Sequence, residues 1–254
     1  VEEANRTLED RVRQRTQELE EANDLLVRKE KLAAIGQLAG GVAHDLRNPL
    51  GAINNAVYYL KRKLGVIDVV QSNPRIGQFL QIAEEEVRHS NQIISDLMSF
   101  ARVGVASLAP TNLGDIVSNA LSTMEIRDNV HVVKQLDPHL PGVMADAEQL
   151  YRVFVNLANN AQDAMPDGGE LTISARGVEA YAEVAVQDTG IGISEEDMKK
   201  IFEPLFTTKT KGTGLGLSVC QQIMAKHGAT IEASSTLGEG STFTIRLPLA
   251  TNGS

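Results

Sequence analysis

The chain has 254 residues, room for one large or two ordinary domains, and its 42% hydrophobic and 22% charged content is that of a soluble protein. A formal net charge of −9 argues against a nucleic-acid-binding surface, and the single cysteine, Cys220, excludes an intrachain disulfide and agrees with a reducing compartment. The densest apolar run, residues 32–42, is short and interrupted by Gln37, so neither a membrane span nor a signal peptide is expected.

Residues 1–30 lack glycine and proline, and Val12, Leu19, Leu26 and Ala33 recur every seven residues, with Leu8 and Ala22 on the second seam position. Arg15 and Lys29 interrupt the seam. The stripe is too narrow for a globular core, so a parallel dimeric coiled coil is expected in preference to a single solvated helix. The pattern is already under way at Val1, as if a segment preceded it. Residues 31–103 read as a helical hairpin. Ile35, Leu38, Val42, Leu46, Ile53, Val57 and Leu60 lie near core spacing on the first helix, and Gly65 to Pro74 form a turn. Leu80, Ala83, Val87, Ser90, Ile94, Leu97 and Ala101 follow at three-four spacing on the second. Neither helix buries its stripe alone, and two hairpins make a four-helix bundle, so a homodimer is expected.

Residues 104–111, with Gly104, Ser107 and Pro110, lose the helical period and read as a linker. Residues 112–249 change to mixed α and β. Helices are predicted over 113–124, 146–165 and 215–226, and strands over 130–136, 142–145, 170–175, 180–188, 229–235 and 241–248. A short acidic helix is capped by Ser194. This order indicates a two-layer α/β sandwich, followed by a tail over 250–254. Cys220, on an apolar helical stretch, reads as a small core residue.

Chemistry concentrates in five stretches. His44 has a carboxylate beside it, Asp45, and an amide one turn on, Asn48, while Pro49 should kink the helix. A neutral imidazole oriented by a carboxylate is a nucleophile at pH 7, although a lone helical histidine is ordinarily a solvated or core residue. Asn156, Asn160 and Asp163 share one helix face, and such oxygen ligands suit Mg²⁺ bridging phosphates. Asp188 precedes the glycine turn Gly190-Ile191-Gly192, where it can accept from an exocyclic amine. Phe202 and Phe206 anchor a segment running to Thr208 and Lys209, and Lys209 or Lys211 is placed to reach a phosphate. Gly212-Thr213-Gly214-Leu215-Gly216 opens a helix, whose free N–H groups favour a polyphosphate. It is neither a P-loop nor a dinucleotide fingerprint.

The last four stretches, in this order, resemble the Bergerat-fold ATP-binding domain shared by sensor histidine kinases, DNA gyrase, Hsp90 and MutL. With the upstream histidine box, residues 31–249 resemble the cytoplasmic core of a two-component sensor histidine kinase, and residues 1–30 are similar to its signalling helices. The resemblance implies that the chain binds ATP and Mg²⁺ and that His44 is the phosphoacceptor. It makes Asp45 the base that activates His44 and Asn48 an aid to dephosphorylation of a partner aspartyl phosphate. Asn160 becomes the Mg²⁺ ligand, and Asn156 stands where ATP-hydrolysing relatives carry a glutamate base. Asp188 would read the adenine amino group, in a pocket shaped by Gly190 and Gly192. Residues 193–211, including Phe202, Thr208 and Lys209, would form the ATP lid. Gly212, Thr213, Gly214, Leu215 and Gly216 would close over the phosphates. Asp163, where many relatives carry a basic residue, has no implied role. The implied partners are a second copy, a response-regulator receiver domain docking near Asn48, Ala52 and Asn55, and an upstream sensor domain outside this chain. The implied location of this portion is the cytoplasm. A catalytically silent scaffold, an ATP-fuelled conformational machine and a protein-serine kinase of the same fold are the alternatives. The missing glutamate at 156 and the presence of His44 argue against the machine.

Overall fold

A computed structural model describes residues 11, 15–16, 46–63, 74–101, 106–209 and 212–249. Most of the expected coiled coil, His44, Asp45, the turn through Asn73, Lys211 and the tail lie outside the described residues. The chain divides into two units, Val1–Arg102 and Val103–Ser254.

In the first unit, helix α1 covers residues 46–63 and helix α2 spans Pro74–Ala101. Over the described residues both are helical where the apolar spacing predicts, and α1 continues as helix through Pro49. Val57, Val87 and Ile94 are buried, and Lys61 Nζ donates to Glu84 Oε2 at 2.6 Å, joining the two helices.

The second unit is a two-layer sandwich. Its elements are β1 (Ala109–Thr111), α3 (Leu113–Thr123), β2 (Val130–Leu136), β3 (Val143–Ala145) and α4 (Ala147–Ala164). Then follow β4 (Gly169–Val178), β5 (Tyr181–Asp188), α5 (Glu195–Met198), α6 (Gly216–Lys226), β6 (Thr230–Thr236) and β7 (Gly240–Pro248). Five strands make one sheet in the order β2-β4-β5-β7-β6, parallel only between β2 and β4. That parallel pair needs a crossover, and the connection contains α4.

Alternation decides which sheet face is covered. Leu171, Ile173 and Ala175 of β4, Ala182, Val184 and Val186 of β5, and Phe243, Ile245 and Leu247 of β7 are all buried at every second position. They meet the apolar faces of the helices, with α4 packed between α3 and α6 and against β5. Leu150, Val153, Phe154, Leu157, Ala158 and Ala161 are its buried apolar side chains. Cys220 lies in this core, where burial pushes its thiol up to about 12, so it is the inert core residue expected.

Two joints fix α4. Asp146 caps it, accepting from the N–H groups of Glu148 and Gln149 at 3.1 Å each. The Asp146 N–H in turn donates to Nε2 of His227, 5% exposed at the end of α6. That makes Nδ1 the protonated nitrogen, and it donates to the Ile223 carbonyl at 2.8 Å. The expected linker is part strand. β1 pairs antiparallel with β3, Thr111 Oγ1 donates to the Ala145 carbonyl at 3.1 Å, and the Ser107 N–H donates to Asp146 Oδ2 at 3.1 Å. A three-residue strand containing Pro110 carries no readable period, and it survives because it sits in a two-stranded ribbon.

Candidate nucleotide-binding site

The site grows from the polar face of α4. Its apolar face is committed to the core, which leaves Asn156, Asn160 and Asp163, at i, i+4 and i+7, on the opposite stripe. Asn156 Nδ2 donates to the Gly216 carbonyl at 3.4 Å, and a Cβ at position 216 would lie 3.3 Å from Asn156 Oδ1. The amide thereby fixes the first turn of α6 beside α4. The N-cap residue of α6, Leu215, provides no side-chain acceptor, so the N-terminal amides of that helix are not capped from within.

The glycine loop before α6 is bound to the C-terminal part of the lid. Gly214 has φ +66°, and a Cβ there would stand 2.4 Å from the Leu205 carbonyl carbon. Its carbonyl accepts from the Leu205 N–H at 2.9 Å, with Leu205 itself at φ +68°. The Leu215 N–H donates to Thr213 Oγ1 at 3.4 Å, and the Gly212 N–H to the Lys209 carbonyl at 3.3 Å. The lid also carries the two phenylalanines expected to anchor it. Phe202 and Phe206 are only half-buried, while Ile201 is the buried apolar side chain and the backbone pairing with Gly214 supplies the rest. Thr208 is exposed.

At the other end of the site, Asp188 closes β5 and is 4% exposed. Burial pushes its carboxyl above the usual range, an effect opposed by hydrogen bonds from the Gly190 and Ser241 backbones and by the charge of Lys209. Gly190 donates to Asp188 Oδ1 at 2.9 Å. The Ile191 N–H donates to the Ala164 carbonyl at the end of α4, also at 2.9 Å. Gly192, at φ +68°, packs where a Cβ would meet the Thr236 carbonyl at 2.2 Å. The Ile193 N–H donates to Ser235 Oγ at 2.8 Å, tying the loop to β6.

Lys209 connects lid and helix. Its Nζ donates to Asn160 Oδ1 at 2.8 Å and to Asp163 Oδ2 at 2.9 Å. Asp163 Oδ1 accepts from Arg127 Nη2 at 2.8 Å. An ammonium held between a carboxamide and a carboxylate oxygen is a stand-in for a cation. The donor set is of the hard oxygen kind that Mg²⁺ takes, so the residues fit that metal. The glycine loop and the uncapped α6 terminus likewise fit a polyphosphate.

Asn156, Asn160, Lys209, Gly212, Thr213, Gly214, Leu215 and Gly216 thus converge on α4, and Asp188, Gly190 and Gly192 meet its C-terminal end. Asn48 is an exposed residue of α1 in the other unit. Arg127 and Ser235, which carry no motif signal, hold the site as closely as the motif residues do.

Comparison with known proteins gives one direction. Residues 34–105 match the His Kinase A (phospho-acceptor) domain, and residues 145–251 match the histidine kinase-, DNA gyrase B- and HSP90-like ATPase family. The chain is similar to the sensor histidine kinase ZraS of Escherichia coli (strain K12), 34% identical over 229 residues, covering 89% of this chain and 48% of that one. It is similar to sporulation kinase C of Bacillus subtilis (strain 168), 33% identical over 238 residues, covering 91% and 53%. The chain spans about half the length of these curated relatives. Among solved structures, the catalytic domain of histidine kinase ThkA aligns with a TM-score of 0.52 at 33% identity, covering 56% of this chain and 96% of that one. ThkA in complex with the response regulator protein TrrA aligns with a TM-score of 0.62 at 26% identity, covering 88% and 64%.

Proposed function

The chain belongs to the histidine kinase family, and from that membership we propose that it phosphorylates itself on His44 from Mg²⁺-ATP and passes the phosphoryl group to a response-regulator aspartate. The observation that carries the reading is the Lys209 ammonium seated on Asn160 Oδ1, a cation position on α4 beside the glycine loop. In this reading Asn160 is the metal ligand, and bound Mg²⁺ supplies neutralisation of phosphate charge.

The chain's own residues do the rest. Asp188 accepts from the adenine amine while Gly190 and Gly192 shape its pocket. Phe202, Thr208 and Lys209 belong to the lid, and Gly212, Thr213, Gly214, Leu215 and Gly216 present backbone around the phosphates. Asp45 accepts a proton from one ring nitrogen of His44, leaving the other as the nucleophile. That nitrogen bonds to the γ-phosphorus as the bond to the bridging oxygen breaks, and ADP leaves with the electron pair. Asn156 takes no proton from water, in keeping with phosphorylation of a side chain in place of hydrolysis. Asn48 serves the reverse task, orienting water on the regulator's aspartyl phosphate. The chain works as a homodimer with 1–30 as signalling helix, 31–103 as phosphotransfer hairpin, 104–111 as linker and 112–249 as ATP-binding domain. It acts in the cytoplasm and takes its input from an upstream sensor domain. Among the described residues no helix is long and apolar enough to cross a membrane.

Incubation with radiolabelled ATP and Mg²⁺ tests the reading, with His44→Gln and Asn160→Asp variants alongside. The expected result is an acid-labile, base-stable label on the unaltered chain and none on either variant. Label surviving His44→Gln would refute the acceptor, and nucleotide binding without label would leave a silent scaffold.

A further inference from the structure

The lid lysine is held by a carboxylate for which the reaction above has no use. Asp163 divides its oxygens, Oδ1 accepting from Arg127 Nη2 at 2.8 Å and Oδ2 from Lys209 Nζ at 2.9 Å. Arg127 is itself fixed at two more points. Its Nη1 donates to the Gln162 carbonyl at 2.8 Å, and its backbone N–H donates to Oε1 of the buried Gln162 at 2.9 Å. The guanidinium therefore orients Asp163 at the end of α4, where a cation also suits the helix dipole. From that fixed carboxylate Lys209 reaches its second acceptor, Asn160 Oδ1, at 2.8 Å.

We propose that Asp163 is a positioning residue that, through Lys209, keeps the lid's ammonium on Asn160 as a stand-in for the metal, so that lid latching and metal occupancy exclude each other. The inference rests on Asn160 as the metal ligand. Mg²⁺ takes oxygen ligands at about 2.0–2.1 Å, and an ammonium hydrogen-bonded to the same oxygen stands in its way both sterically and by charge. Arrival of the metal with nucleotide frees Lys209 from Asn160, and the lysine then leaves Asp163 for the phosphates. The apparent metal affinity is lowered by the latched fraction of the chains, as in any equilibrium whose competent state is partly populated.

The test titrates Mg²⁺ into the full chain at a fixed concentration of non-hydrolysable ATP analogue, with binding followed by calorimetry. Asp163→Ala removes the anchor and touches neither Asn160 nor the glycine loop. It should lower the Mg²⁺ concentration for half-saturation by about two- to fivefold, the effect of a half-exposed ion pair. Arg127→Gln should move it in the same direction by less, without deleting the carboxylate. Hydrogen exchange without nucleotide gives a second readout. Amides of residues 203–209 should exchange faster in Asp163→Ala and in Lys209→Met, and no faster in the double variant. A higher Mg²⁺ requirement in Asp163→Ala would make Asp163 a servant of the metal, and an unchanged one would make the ion pair incidental. Either overturns the inference. Failure of the unaltered chain to bind the analogue in a metal-dependent way would overturn the nucleotide reading, and this inference with it.

Discussion

Asp188 is buried, in the proposed reading as the acceptor for the adenine amine, and the burial has a cost in stability. Its carboxyl is raised above 3.8, so the folded chain holds that proton more tightly than the unfolded chain does. Below 3.8 both states are protonated and no penalty exists. As pH rises through the raised value the penalty grows, and it is fully present above it. Asp188→Asn should therefore leave the second unit at least as stable at neutral pH. It should also weaken binding of an ATP analogue by about ten- to a hundredfold, the worth of a hydrogen bond to a charged group. A variant that binds normally would remove Asp188 from the adenine pocket, and one that unfolds would reverse the stability argument. The residue was readable in sequence, since a carboxylate where a strand ends in a glycine turn is placed to accept a hydrogen bond. The partners of Lys209 were not. Asn160 and Asp163 precede it by 49 and 46 positions, and only the packing of lid on α4 brings them together.

At the scale of elements, the helix-free face of the sheet carries a charge ladder. Glu183 of β5 accepts from Arg176 of β4, with Nη2 at 2.6 Å and Nε at 3.0 Å, and from Arg246 Nε of β7 at 2.9 Å. Arg246 Nη1 continues to Glu232 of β6 at 2.8 Å. The ladder crosses four of the five strands and supports their register through cross-strand pairs. The Arg176 and Arg246 guanidinium groups hold the Glu183 carboxyl below 4.5. Its contribution is therefore present above pH 4.5 and is lost as pH falls through the lowered value. In Glu183→Gln, stability of the second unit should be lower at pH 7, and its fall under acid should be shallower. Urea unfolding across pH 3–7 checks this, and parallel curves for the two proteins would refute it. The major elements of this unit were legible because their periods are long enough to count. β1 was not, since three residues around a proline fit a linker as well as a strand.

For the whole molecule, the decisive feature is an apolar stripe that one chain leaves uncovered. On α1, Leu46, Ile53 and Leu60 recur every seven residues at 46%, 48% and 47% exposure, while Val57 is buried. On α2, Phe79, Ile82 and Ile93 are also exposed. A helical hairpin with a second apolar seam open to water is stabilised by a second copy, which turns two hairpins into four helices around one core. Arg15 and Lys29 interrupt the heptad pattern expected over residues 1–30, so the hairpin stripe should carry most of the association. Replacing Ile53 and Leu60 together by arginine places two charges per chain in that core, where an unpaired charge is strongly unfavourable. Analytical ultracentrifugation should find the unaltered chain dimeric and the double variant monomeric at the same concentration. Affinity for an ATP analogue should be unchanged between them, because the residues proposed for the nucleotide site belong to Val103–Ser254. An unaltered chain that sediments as a monomer would refute the dimer. A double variant that stays dimeric would shift the association onto the coiled coil.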